Sequence, residues 1–153
     1  MKSQLKIKAQ LFNACAAFIK NRYTTIQHTI NEIQTSLTSE TKSSAGDKHE
    51  TGRAMLQLER EKAENQLEEV EKTRSLLSKV DVEQTSSKVG LGSVVYTSKL
   101  NYYIAISAGE LSVENTKFYA ISANTPIGQL LIGKTIDSEI VFRDQKFKIT
   151  AVL

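Results

Sequence analysis

Asp47 and Glu50 stand three residues apart in the run Gly46-Asp47-Lys48-His49-Glu50, which continues as Thr51-Gly52-Arg53-Ala54. That spacing alone explains a helix start. Asp47 can accept from the free N–H groups of a first helical turn, and Glu50 can reach back in a capping box. No metal is needed for that arrangement. His49 reads as an exposed residue beside them, and His28 as a solvated one. The single Cys15 excludes an internal disulfide and reads as a small packed side chain rather than a nucleophile. No Cys/His cluster has the spacing of a zinc site. Tyr102, Tyr103, Phe118, Tyr119, Phe142 and Phe147 alternate with other strand-forming residues and read as sheet core rather than a base-stacking platform.

Two long periodic segments must position the carboxylates. Before them, Leu5, Ala9, Phe12, Ala16, Ile19, Tyr23, Ile26, Ile30, Ile33 and Leu37 recur in alternating steps of four and three. After them, Leu56, Ala63, Leu67, Val70 and Leu77 follow the same rule, with Arg60 and Arg74 in two seam positions. These are heptad seams. Two such helices joined by a short polar stretch predict an antiparallel coiled-coil hairpin over residues 1–80, with its tip near 43–52. The first helix is expected to run from about Lys2 to Ser39, the second from about Lys48 to Lys79.

Residues 81–88 lose the heptad and read as a linker. From 89 to 153 the pattern is that of a small, mostly antiparallel sheet. Strands are expected over 93–97, 101–106, 117–122, 139–142 and 145–152. Thr125-Pro126 has the form of an N-cap followed by proline at the first helical position, and a short helix should run through Ile127–Ile132, ended by Gly133. The fold class is therefore α+β.

Composition narrows the function classes. At 153 residues, with 24% charged and 40% apolar residues, the chain fits two small domains and neither a disordered nor a membrane protein. No apolar run approaches the roughly 18 residues that span a bilayer, and the apolar stretch 9–19 continues the heptad rather than forming a signal peptide. A cytoplasmic location is expected. The net charge of +3 is unevenly placed. Lys2, Lys6, Lys8, Lys20 and Arg22 precede any acid, while the second helix carries Glu59, Glu61, Glu64, Glu68, Glu69 and Glu71. The two helices can attract through these charges, or the basic face can lie near a nucleic-acid backbone.

The segment Ile121-Ser122-Ala123-Asn124-Thr125-Pro126-Ile127-Gly128-Gln129-Leu130-Leu131-Ile132-Gly133-Lys134 resembles the C-terminal signature of the bacterial Gre transcript-cleavage factors. In that family, Ser-Pro-Ile-Gly leads through a short apolar helix to Gly-Lys. The order of hairpin and then sheet is also similar, as is Gly-Asp at the tip with a glutamate three residues beyond the aspartate. The resemblance implies an FKBP-like sheet domain that docks at the rim of the RNA polymerase secondary channel, with the hairpin inside the channel. Asp47 and Glu50 then match the family's tip carboxylates, which help hold a second Mg²⁺ and its attacking water while the polymerase cleaves backtracked RNA. Mg²⁺ is often bound by one or two carboxylates plus phosphates and water, and a two-metal site stabilises both the attacking and the leaving oxygen.

Such a factor is no enzyme alone. It has no cofactor of its own, sharing Mg²⁺ with the polymerase. Its partners are the polymerase and the nascent RNA 3′ end, without membrane contact or independent sequence-specific DNA binding. Pro126, Ile127 and Gly128 fall in the docking signature. Where the family has Asn-Ala-Glu-Tyr after the tip glutamate, this chain has Thr51-Gly52-Arg53-Ala54. Lys48, His49 and Arg53 are then candidates for RNA contact, and the charge of Lys48 and Arg53 weakens Mg²⁺ binding unless it faces phosphate. The alternatives are a channel-binding regulator without cleavage activity and a structural coiled-coil adaptor. A prolyl isomerase is disfavoured, since the chain has no tryptophan for such a pocket.

Overall fold

The computed structural model describes residues 2–42 and 46–153, and the side chains of residues 3–39 and 50–153. Helix α1 spans Lys2–Lys42 and α2 spans Gly46–Ser78. α1 contains no glycine or proline, so nothing breaks its hydrogen-bond ladder over 41 residues. It runs past the expected end near Ser39. The Thr29, Thr35 and Thr38 hydroxyls donate to the carbonyls of Thr25, Asn31 and Gln34, at 3.1, 3.0 and 3.0 Å. These hydroxyls bond back onto the helix rather than to its N–H groups.

The chain divides into two compact units, Ile19–Arg74 and Met1–Phe18 with Ser75–Leu153. In the first, Ile19, Ile26, Ile33, Leu37, Ala63 and Val70 are buried. The helices pair antiparallel. Arg60 Nη1 donates to Gln34 Oε1 at 2.5 Å, and the Arg74 guanidinium lies 4.8 Å from the Tyr23 ring centroid. Contacts thus move up one helix as they move down the other. Both seam arginines keep their charged ends at the flank, with their side chains 41% and 53% exposed.

The second unit is built on six strands: β1 (Val94–Thr97), β2 (Tyr102–Ile104), β3 (Gly109–Val113), β4 (Thr116–Ile121), β5 (Glu139–Phe142) and β6 (Gln145–Val152). Helix α3 (Pro126–Leu131) lies between β4 and β5 in sequence. The strand order is β3-β4-β2-β1-β6-β5. All pairings are antiparallel except β2 with β4, which run parallel with Tyr102 opposite Tyr119 and Ile104 opposite Ile121. The expected five strands are present, and β3 is an addition. It forms a hairpin with β4 through Glu114 and Asn115, both at positive φ (51° and 64°). Arg143 and Asp144 (50° and 65°) make the matching turn between β5 and β6. Paired positive φ values are those of the turn whose twist suits a two-residue hairpin.

The core of this unit gathers Val95, Tyr102, Ile104, Leu131, Ile140, Phe147 and Ile149, with Ile121, Ala123 and Ile127 packed against it. The unit's share of α1 departs from the expected seam. Lys8, Leu11 and Cys15 are the buried positions, whereas Ala9, Phe12 and Ala16 are half-buried. The helix is apolar around a wider arc here than a two-helix seam requires. Lys8 therefore does not belong to a solvated basic face. Its Nζ donates to the Gln84 carbonyl at 2.6 Å. Lys6 pairs with Glu114 at 3.6 Å. Along α2, acids pair within their own helix: Arg60–Glu64 at 3.0 Å, Lys72–Glu69 at 3.5 Å and Arg74–Glu71 at 3.8 Å. Among the described residues, no helix is long and apolar enough to cross a membrane.

Candidate functional site

Positions 47 and 50 both fall in α2, which begins at Gly46. The capping box expected of Asp47 and Glu50 rests on the Asp47 side chain and a flanking residue, which lie outside the described residues. Asp47 sits inside the first turn of α2. An acidic residue there still favours the positive end of the helix dipole. Residue 45 and the side chains of Asp47, Lys48 and His49 lie outside the described residues, so the expected tip geometry at those positions is not described. Glu50 is exposed.

Arg53 is half-buried three residues further on. It lines a polar groove of about 300 Å³ with Gln34, Thr38, Gln57, Arg60 and Glu64. Arg60 is held there by Gln34 and by Glu64, whose Oε1 accepts from its Nε at 3.0 Å. His28 is exposed and lies 3.1 Å from Glu32, one turn along α1. Among the described residues, no group of three His, Cys, Asp or Glu side chains gathers to hold a metal.

The segment 121–134 is built in detail. Thr125 caps α3. Its hydroxyl accepts from Gly128 N–H at 3.1 Å and donates to the Ser122 carbonyl at 2.8 Å. Pro126 opens the helix, where its missing N–H is not needed. Gly128 is buried, and a Cβ there would collide with the Ser122 carbonyl oxygen and sit 2.8 Å from the Thr125 hydroxyl oxygen. Glycine is therefore required by packing. Ile127 is half-buried against the core and Pro126 is exposed. At the far end Gly133 takes φ +81°. Its N–H donates to the Val89 carbonyl at 2.8 Å, and Val89 N–H returns a bond to the Lys134 carbonyl at 2.9 Å. In and beside this segment Leu130, Ile132 and Ile136 remain exposed, three apolar side chains.

Elsewhere in the same unit, Leu100, Tyr102, Phe142 and Phe147 line a cleft of about 220 Å³ with Lys99 and Arg143 at its edge. Tyr102 and Phe147 lie 6.5 Å apart between ring centroids. Cys15 is fully buried, and burial pushes its thiol up to about 11. Tyr103 is pushed up as well, first by burial and then by Cys15, and its hydroxyl finds no hydrogen-bond partner among the described residues. Full burial and a thiol raised in this way both fit the packed side chain expected of Cys15.

No protein-family model matches the chain, and no curated protein matches it. Among solved structures, the chain is similar to one of the transcription factor Gfh1, at 19% identity, with 86% of this chain and 92% of that one covered and a TM-score of 0.34. It is also similar to the GreA factor homolog 1 protein of Thermus thermophilus, at 17% identity, with 93% and 94% covered and a TM-score of 0.34.

Proposed function

We propose that this chain is a Gre-like transcription elongation factor. In this reading it binds RNA polymerase, inserts the α1–α2 hairpin into the secondary channel and stimulates cleavage of backtracked RNA. One observation supports the reading above the others. The segment whose sequence resembles the Gre signature folds in the order that resemblance implies, a strand and then a short helix leading to Gly-Lys, with proline opening the helix and Val89 bonded to its far end. That segment follows a helical hairpin with Asp47 and Glu50 in the first turns of its second helix.

The roles divide by position. Asp47 and Glu50 complete the polymerase's Mg²⁺ site, and Lys48, His49 and Arg53 face RNA phosphates. Gly128 shapes an FKBP-like docking domain from inside, so Pro126 and Ile127 are left to touch the polymerase. The hydrolysis remains the polymerase's own. A second reading, a structural adaptor, draws on Met55 and Leu58, which stand 60% and 65% exposed on α2, outside its seam.

The deciding experiment is a transcript-cleavage assay on backtracked elongation complexes of the cognate polymerase. Wild type and Asp47→Ala/Glu50→Ala are compared, with binding measured in parallel. Faster cleavage by wild type, lost in a variant that still binds, is the expected result. Binding without faster cleavage leaves a channel-occupying regulator. No binding at all removes the Gre-like reading and puts the adaptor first.

A further inference from the structure

Lys8 is only 3% exposed, yet among the described residues it makes no ion pair. Its ammonium has three donors, and the Gln84 carbonyl accounts for one. Asp81 acts on it at longer range, and one of its carboxylate oxygens accepts from Glu83 N–H at 3.0 Å. Burial lowers the Lys8 pKa and Asp81 only partly opposes that. A buried cation whose charge is so incompletely matched is costly unless an anion can join it.

The space beside Lys8 is suited to one. A cleft of about 200 Å³ is lined by Lys8, Asp81, Thr85, Ser86, Lys88 and Ser93 among others. The Ser86 hydroxyl oxygen accepts from Lys88 N–H at 3.2 Å, and that of Ser93 accepts from Gly90 N–H at 2.9 Å. Both keep their hydroxyl protons to donate. Two ammonium groups against one carboxylate leave a net positive charge, with the Thr85, Ser86 and Ser93 hydroxyls beside it.

We propose that this cleft is an anion site for a phosphate group. It is smaller than the roughly 300–1,000 Å³ of sites that enclose drug-sized ligands, so it takes a phosphate group rather than a whole nucleotide. Lys8 supplies the fixed buried charge, Lys88 closes from the surface, and the Ser86, Ser93 and Thr85 hydroxyls donate to phosphate oxygens. Asp81 sets a limit on affinity by repelling the anion. The site stands apart from the polymerase reading and does not depend on it.

The test is a titration of the full-length chain with inorganic phosphate, followed through the backbone amide resonances of residues 84–93, at constant ionic strength set with chloride. The expected result is a saturable shift with phosphate that chloride does not produce. Lys88→Gln, an exposed position that leaves the fold intact, weakens binding by on the order of tenfold, as loss of one charge-assisted hydrogen bond entails. Lys8→Met, which keeps the length of the side chain, weakens it at least as much. Asp81→Asn tightens it several-fold. Pyrophosphate and a nucleoside triphosphate are titrated in parallel. Tighter binding of the triphosphate identifies the phosphate as carried on a nucleotide, and equal binding identifies the free anion. A linear response to phosphate, an equal response to chloride, or undiminished binding in both lysine variants overturns the proposal.

Discussion

The hairpin unit and the sheet unit solve the burial problem differently. The hairpin buries one line of residues, with Ile26, Ile33, Ala63 and Val70 inside and polar flanks on either side. Its seam tolerates Arg60 and Arg74, whose ends reach Gln34, Glu64 and Tyr23. The sheet unit buries whole side chains from several directions. Tyr103, Phe118, Ile104, Leu131 and Ile149 are all below 2% exposed. A position in the hairpin therefore has neighbours on one side only, whereas one in the sheet core has them all round. Damage should stay small in the first and spread in the second.

The largest test of that contrast is Phe118→Ala. Phe118 is 1% exposed and meets the Tyr96 ring edge-on at 5.7 Å between centroids. Its removal leaves a cavity beside the Tyr96 ring, and buried sites of this kind relax only in part. A loss of about 3–5 kcal/mol is expected, read by denaturant unfolding. Hydrogen exchange should show the loss throughout residues 94–152. A loss confined to β4 would mean that the sheet core is no more cooperative than the hairpin seam.

A smaller effect comes from pH. Burial raises the Cys15 thiol from its ordinary 9.0 to about 11, so the folded chain holds this proton after the unfolded chain has released it. Between those values the unfolded state binds fewer protons, and stability falls as pH rises. The stabilisation is whole below pH 9 and lost through pH 11, a span worth roughly 3 kcal/mol at most. Tyr103 is shifted in the same direction and adds to the fall at higher pH. Lys8 acts oppositely, since its lowered pKa means the folded state sheds a proton early. Cys15→Ala should flatten the decline between pH 9 and 11 in urea unfolding. An unchanged slope would show that the thiol does not titrate against burial.

How legible each region was follows from the same contrast. The heptads were plain because a helix repeats its rule over ten seam positions, from Leu5 to Leu37. The base of α1 was misread because Leu11 and Cys15 fall between those positions. The signal was available: Ile7, Leu11, Ala14, Cys15 and Phe18 make a second apolar stripe, too wide for a two-helix seam. Strand β3 was missed because Gly109-Glu110-Leu111-Ser112-Val113 has only two large apolar residues, and its turn uses Glu114-Asn115 without a glycine. The segment 121–134 was readable since proline, glycine and threonine each mark a backbone requirement there. The meaning of Asp47 and Glu50 was not readable from spacing, because a helix start and a metal site ask for the same residue types.

The smallest effect probes the hairpin flank. Arg74 covers the Tyr23 ring at 4.8 Å and lies 3.8 Å from Glu71. Both Arg74 and Glu71 are about half exposed, so the ion pair is screened and contributes little. The ring contact should be worth about 0.5–1 kcal/mol. A double-mutant cycle of Arg74→Ala with Tyr23→Leu isolates it, because leucine keeps the apolar seam while removing the aromatic face. A coupling in that range, unchanged at 1 M salt within the precision of the measurement, identifies stacking of the guanidinium on the ring. Coupling that disappears with salt identifies a diffuse charge effect. In the first case the arginines are structural members of the seam that keep their charges at its edge, which is how a heptad accommodates a cation without burying it.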